Sequence, residues 1–119
     1  MEKFVEQALL YDFYGEMLTS RQKEIYEDFV LNDLSLGEIA QEREISRQGV
    51  YDIIKRCNRQ LAGYEEKLHL ARKFLDTKKK VEDIHRSAQA ILDIRDDQTK
   101  VMEHIAQIER MSNEILEEM

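Results

Sequence analysis

With 119 residues the chain is long enough for one small domain, or one domain with a helical appendage, and too short for a deep cleft between two domains. It is 36% charged and 42% hydrophobic, with no proline and four glycines, which excludes a disordered chain and favours long helices. A formal net charge of −7 excludes indiscriminate binding to nucleic acid, so any such contact must rest on a local basic patch.

Phe4, Val5, Ala8, Leu9, Tyr11, Phe13 and Leu18 recur at helical spacing and predict a first amphipathic helix over about Lys3 to Met17. Thr19 or Ser20 can cap a second helix with Ile25, Tyr26, Phe29 and Val30 on one side, ended by Asn32 and Asp33. Ser35 is a natural cap for a short helix from Leu36 to Arg43, and Glu38 can return the hydrogen bond as in a capping box. Glu44 and Ile45 form a turn. Ser46 then caps a longer helix through Val50, Ile53, Ile54, Cys57 and Leu61, which Gly63 is expected to end or bend.

From Tyr64 the pattern narrows to a heptad-like seam, with Phe74, Val81 and Ala88 in one position and Leu70, Thr77, Ile84 and Ile91 in the other. Arg95, Asp96 and Asp97 interrupt it. Asp97 can cap a last helix carrying Val101, Ile105, Ile108, Met111, Ile115 and Leu116. The expected organisation is all-α: a helix-turn-helix domain without a wing over 1–63, then a tail over 64–119. The tail's two stripes would be satisfied by an antiparallel pair or by a dimerisation arm, and a homodimer is expected.

The informative stretch is LSLGEIAQEREISRQGVYDIIKRCNRQL, in which a short helix, a tight turn and a capped helix follow one another. A helix-turn-helix needs a small residue where its helices cross, here Ala40, and a second helix whose first turns present polar groups to base edges. Arg47, Gln48, Tyr51, Lys55, Arg56 and Arg59 are the candidate nucleic-acid contacts. Four basic residues face one acidic residue, Asp52, between Ser46 and Gly63. Arg47 and Gln48 are types that pair bidentately with guanine and adenine, whereas Arg56 and Arg59 suit phosphates. The same side chains could equally form the solvated face of an amphipathic helix.

Other groupings carry less. Lys78, Lys79 and Lys80 are flanked by Asp76, Glu82 and Asp83 and read as a solvated helix surface. Tyr11, Phe13, Tyr14 and Tyr26 read as core before they read as a stacking platform. His69, His85 and His104 are far apart and Cys57 stands alone as a small core residue, so neither a metal site nor a disulfide is expected. No nucleophile, glycine-rich phosphate loop or histidine dyad accompanies the carboxylates, so neither an enzyme nor a cofactor is expected. No secretory leader or membrane-spanning apolar run is read, which predicts a soluble cytoplasmic protein.

LTSRQKEIYEDFVLNDLSLGEIAQEREISRQGVYDIIKRCNRQL, Leu18 to Leu61, resembles the promoter-reading region four of bacterial sigma factors in its Leu-Thr-x-Arg-Gln, Glu-Ile-Ala and Ser-Arg-x-x-Val elements. The whole chain, from LLYDFYGEMLTSRQ to the acidic tail, is similar to the YlxM-type family of small helix-turn-helix proteins. That resemblance implies a regulatory or accessory role in the signal recognition particle pathway. Double-stranded DNA and the particle's GTPase or RNA are then the implied partners. Where the sigma pattern is polar or basic in the outward register, this chain has Gly49 and Asp52. Asp52 would repel phosphates unless it accepts from a cytosine amine.

Overall fold

Four short side chains decide where helices begin. Thr19 Oγ1 accepts from the Gln22 backbone N–H at 3.2 Å while Gln22 Oε1 accepts from the Thr19 N–H at 2.9 Å. Ser35 and Glu38 form the same reciprocal pair, both bonds at 3.1 Å. Ser46 Oγ accepts from the Gly49 N–H at 2.9 Å, and Asp97 Oδ1 from the Lys100 N–H at 3.2 Å. Each satisfies a donor that the first helical turn leaves without a partner, typically worth about 1 kcal/mol.

The computed structural model describes residues 3–119. Among them are six α-helices: α1 Lys3–Tyr14, α2 Ser20–Val30, α3 Leu36–Arg43, α4 Arg47–Leu68, α5 Leu70–Asp93 and α6 Gln98–Glu118. A 3-10 turn, Gly15–Met17, follows α1, so the last turn of the expected first helix is tighter than α. The chain divides into two compact units, Met1–Ala71 and Arg72–Met119.

In the first unit α4 is the hub, in contact with α1, α2 and α3. Val50, Ile54, Cys57 and Leu61 line its buried side at spacings of three and four, and they meet Ile25 and Tyr26 of α2, Ile39 of α3, and Tyr11 and Tyr14 of α1. The buried side of α1 is not its most apolar one. Gln7, Tyr11 and Tyr14 go inward while Phe4, Val5 and Phe13 are exposed. The tyrosines can be buried because their hydroxyls find acceptors: Tyr11 donates to Glu27 and Tyr14 to Glu65 Oε1 at 2.5 Å.

α4 does not stop at Gly63 but runs to Leu68. One glycine in a helix interior costs about 1 kcal/mol, which the contacts beyond it offset, Tyr64 packing on Tyr14 and Glu65 accepting from Tyr14 and Ala71. The stop is His69, a left-handed residue with φ 57°. The carboxylate and phenol that meet there also satisfy the start of α5. Leu70 N–H donates to the Tyr14 hydroxyl at 3.1 Å and Ala71 N–H to Glu65 Oε1 at 3.0 Å.

In the second unit α5 and α6 run antiparallel. Lys80 pairs with Glu118 and lies 4.0 Å from Glu114, and Ser87 Oγ reaches Gln107 Oε1 at 3.5 Å. The seam differs from the expected one. Ser87 and Met111 are buried and Thr77, Ile84 and Ile91 half-buried, whereas Leu70, Phe74, Val81 and Ala88 are exposed. One neighbouring helix covers a single stripe of α5, so only one of the two seam positions is partly enclosed, and that from Thr77 onward. No helix among the described residues is long and apolar enough to cross a membrane.

Candidate nucleic-acid interface

The candidate surface is set by the crossing of α3 and α4. Ile39 is wholly buried there and Ala40 half-buried, and the turn between the helices is closed by Glu44, left-handed at φ 56°, whose N–H and that of Ile45 both reach the Ala40 carbonyl. A side chain in this conformation is strained by about 1–2 kcal/mol, which the tight turn must offset. Arg43, at the end of α3, clamps the pair to α2. Its Nη2 and Nε donate to Asp28 Oδ2 at 2.9 and 3.1 Å, and its Nη1 to Glu24 at 3.1 Å. Asp28 is buried, and the guanidinium offsets the cost of taking its carboxylate out of water.

With Val50, Ile54, Cys57 and Leu61 turned inward, the helical repeat of 100° per residue puts Gln48, Asp52, Lys55 and Arg59 on the opposite, most outward line of α4. Arg47 and Tyr51 lie on the flank toward α1 and α3, Arg56 on the flank toward α2. All six candidate contacts are solvent-exposed. They do not form one patch of free cations. Gln48 Nε2 donates to Asp52 Oδ1 at 3.0 Å, and Lys55 Nζ lies 5.8 Å from the centre of the Tyr51 ring, within cation–π range. The acidic residue thus sits in the middle of the outward line and holds the amide best suited to reading adenine.

The flanks open into shallow recesses. Leu36, Arg47, Gln48 and Tyr51 line one, and Thr19, Arg21, Gln22, Asp52, Ile53 and Arg56 another. The second brings Arg21, at the start of α2, beside Arg56 and places a second cation where a phosphate backbone could lie. Cys57 is wholly buried, and burial pushes its thiol up to about 11, so it stays protonated and has no nucleophilic part to play.

A family described as "Putative helix-turn-helix protein, YlxM / p13 like" matches residues 1–108, and the α3–turn–α4 geometry agrees with that description. The chain belongs to this family. UPF0122 protein YlxM of Bacillus subtilis is 51% identical over 78 residues, 66% of this chain and 71% of that protein. A UPF0122 protein of Acetivibrio thermocellus is 45% identical over 117 residues, covering 98% and 99% of the two chains. One of Caldanaerobacter subterraneus is 53% identical over 83 residues, 70% and 71%. The family match spans all of the first unit and runs into α6.

Two cations of this UPF0122 chain were missed in the sequence. Arg21 carries a legible signal, since it follows the α2 cap by two residues and points to a backbone contact from a helix start. Lys3 carries none. Its place beside Tyr51 and Lys55 depends on how α1 crosses α4.

Proposed function

We propose that this chain is a regulatory helix-turn-helix protein that contacts nucleic acid through the outward face of α4 and acts by binding rather than by catalysis. The observation that carries the reading is a capped, exposed second helix with a local charge of +3 on a chain of −7. Lys55 and Arg59 would engage phosphates along the outward line and Arg56, with Arg21, a strand on the α2 flank. Arg47, Gln48 and Tyr51 would meet base edges. The YlxM-type resemblance extends the proposal to a place in the signal recognition particle pathway, in the cytoplasm. The exposed Val81, Leu92, Met102, Ile105 and Leu116 of the second unit favour a homodimer joined through α5 and α6.

One observation favours a second reading. Asp52, central on the outward line and tied to Gln48, fits a basic protein better than a phosphate backbone. The chain would then be an adaptor for the particle's GTPase that leaves nucleic acid alone. Fluorescence anisotropy against random duplex DNA, the particle's RNA and its GTPase, at low and moderate salt, separates the two. Steep salt-dependent binding to nucleic acid supports the first, and binding to the GTPase alone refutes it.

A further inference from the structure

A groove of about 460 Å³ lies beside the basic face, among α1, α2, α3 and α4, within the range of about 300–1,000 Å³ usual for small-molecule sites. Phe4, Phe29 and Tyr51 supply its aromatic lining, with the Phe4 and Phe29 ring centres 5.6 Å apart. Lys3 and Lys55 are its charged residues, and no acidic residue lines it among the described ones. Gln7 and Asn58 are its amides.

The two amides are arranged unusually. Asn58 Oδ1 accepts from Gln7 Nε2 at 3.1 Å and from the Tyr26 hydroxyl at 2.5 Å, so both lone pairs of that oxygen are in use. What Asn58 has left to offer is its Nδ2 donor. Gln7 is more than nine-tenths buried, and its Oε1 has no hydrogen-bond partner among the described residues. A buried acceptor left so is costly and rare in a native protein. The groove therefore carries the Asn58 donor beside a buried acceptor that a turn of the Gln7 side chain would open to it, with aromatic rings around them and two ammonium groups.

We propose that this groove takes one unstacked nucleobase, adenine or cytosine, turned out of a nucleic acid held on α4. Both bases present an exocyclic amine beside a ring nitrogen, a donor and an acceptor that complement Gln7 Oε1 and Asn58 Nδ2. The rings of Phe4, Phe29 and Tyr51 give the base the stacking surface it lost, and Lys3 and Lys55 meet the phosphates on either side. Tyr51 and Lys55 belong to both the groove and the basic face, so a strand lying along α4 can turn a base inward without leaving it. A fully paired duplex offers no such base, and the preferred target is a bulge or loop. An acidic amphipathic peptide would match the lysines and the rings but has no need of the amide pair. The inference rests on the reading of α4 as a nucleic-acid contact.

The test uses the full chain and two fluorescein-labelled RNA hairpins, one fully paired and one with a single bulged adenosine. The bulged hairpin should bind about tenfold more tightly, in line with the loss of one base–aromatic stack. Changing the bulge to uridine should abolish the preference. Phe4→Ala should bring the bulged hairpin down to the paired one and leave the paired one unchanged, whereas Arg59→Ala should weaken both alike. In the unmutated protein, 2-aminopurine at the bulge should be quenched on binding, a readout that does not depend on any variant folding. Equal binding of the two hairpins with no quenching overturns the groove and leaves the α4 reading standing. Failure of both hairpins to bind overturns both. Uptake of a labelled acidic amphipathic peptide without any bulge preference overturns the nucleobase in favour of a protein partner.

Discussion

Asp52→Asn isolates the one acidic group on the outward face of α4. The replacement keeps the shape and an oxygen that can still accept from Gln48, now 3.0 Å away, so the helix surface should be preserved while the local charge rises from +3 to +4. A carboxylate about 7 Å from a phosphate is repelled by about 0.6 kcal/mol in water and about 2.4 kcal/mol at an effective dielectric of about 20. Asp52 is exposed, which favours the lower value. Binding of a random duplex at low salt, followed by anisotropy, should therefore tighten about threefold, since a tenfold change corresponds to about 1.4 kcal/mol. The gain should shrink as salt is added, because exposed charges are screened. Unchanged or weaker binding to random duplex would refute the placement of Asp52 against phosphates. Weakening confined to sites with a cytosine at one position would instead assign Asp52 to a base amine.

Other outcomes concern the frame that presents this face. Tyr14→Phe removes the hydroxyl that donates to Glu65 and accepts from Leu70 N–H; it should cost about 1–2 kcal/mol in denaturant unfolding and speed proteolysis at His69 and Leu70, and an unchanged midpoint would count against the junction. Glu44→Gly relieves a left-handed side chain in the helix-turn-helix turn, so thermal unfolding should show a gain of about 0.5–1 kcal/mol after the glycine's greater unfolded-state entropy is subtracted; a loss would mean the strain is not there. Hydrogen bonds from the Ser35 backbone and side chain hold Glu38 below the usual carboxylate range, so its cap is fully present above about pH 4.3 and is lost as pH falls through the lowered folded-state value. Glu38→Gln should therefore flatten part of the acid limb of a stability-against-pH curve, and superimposable curves would dismiss the contribution.

Much of the fold was legible because its signals are local. Thr19, Ser35, Ser46 and Asp97 each bond a backbone N–H three residues on, a reach that spacing alone reveals, and the periodicity of Val50, Ile54, Cys57 and Leu61 marks the buried side of α4 whatever it packs on. The outward line of α4 follows from that side by helical geometry, which is why every candidate contact proved to be exposed. Burial of α1 through Gln7, Tyr11 and Tyr14 was not legible. Phe4 and Val5 are more apolar, and the inward choice depends on Glu27, Asn58 and Glu65, the last two 51 residues distant from their partners on α1.

The same division holds for the interface and its surroundings. Helix order, caps and the basic character of α4 were determined by the sequence, because each depends on residues within a turn or two of one another. Only the tertiary structure decided that α4 runs on past Gly63 to Leu68, that Arg21 lies beside Arg56, and that Lys3 and Phe4 share a groove with Lys55 and Asn58. Those outcomes are balances between distant surfaces: the cost of one glycine against a packed helix, or a phenol's need for an acceptor against the exposure of a more apolar ring. A linear pattern records which groups are present, but the partners that settle such balances are brought together only when the chain has packed.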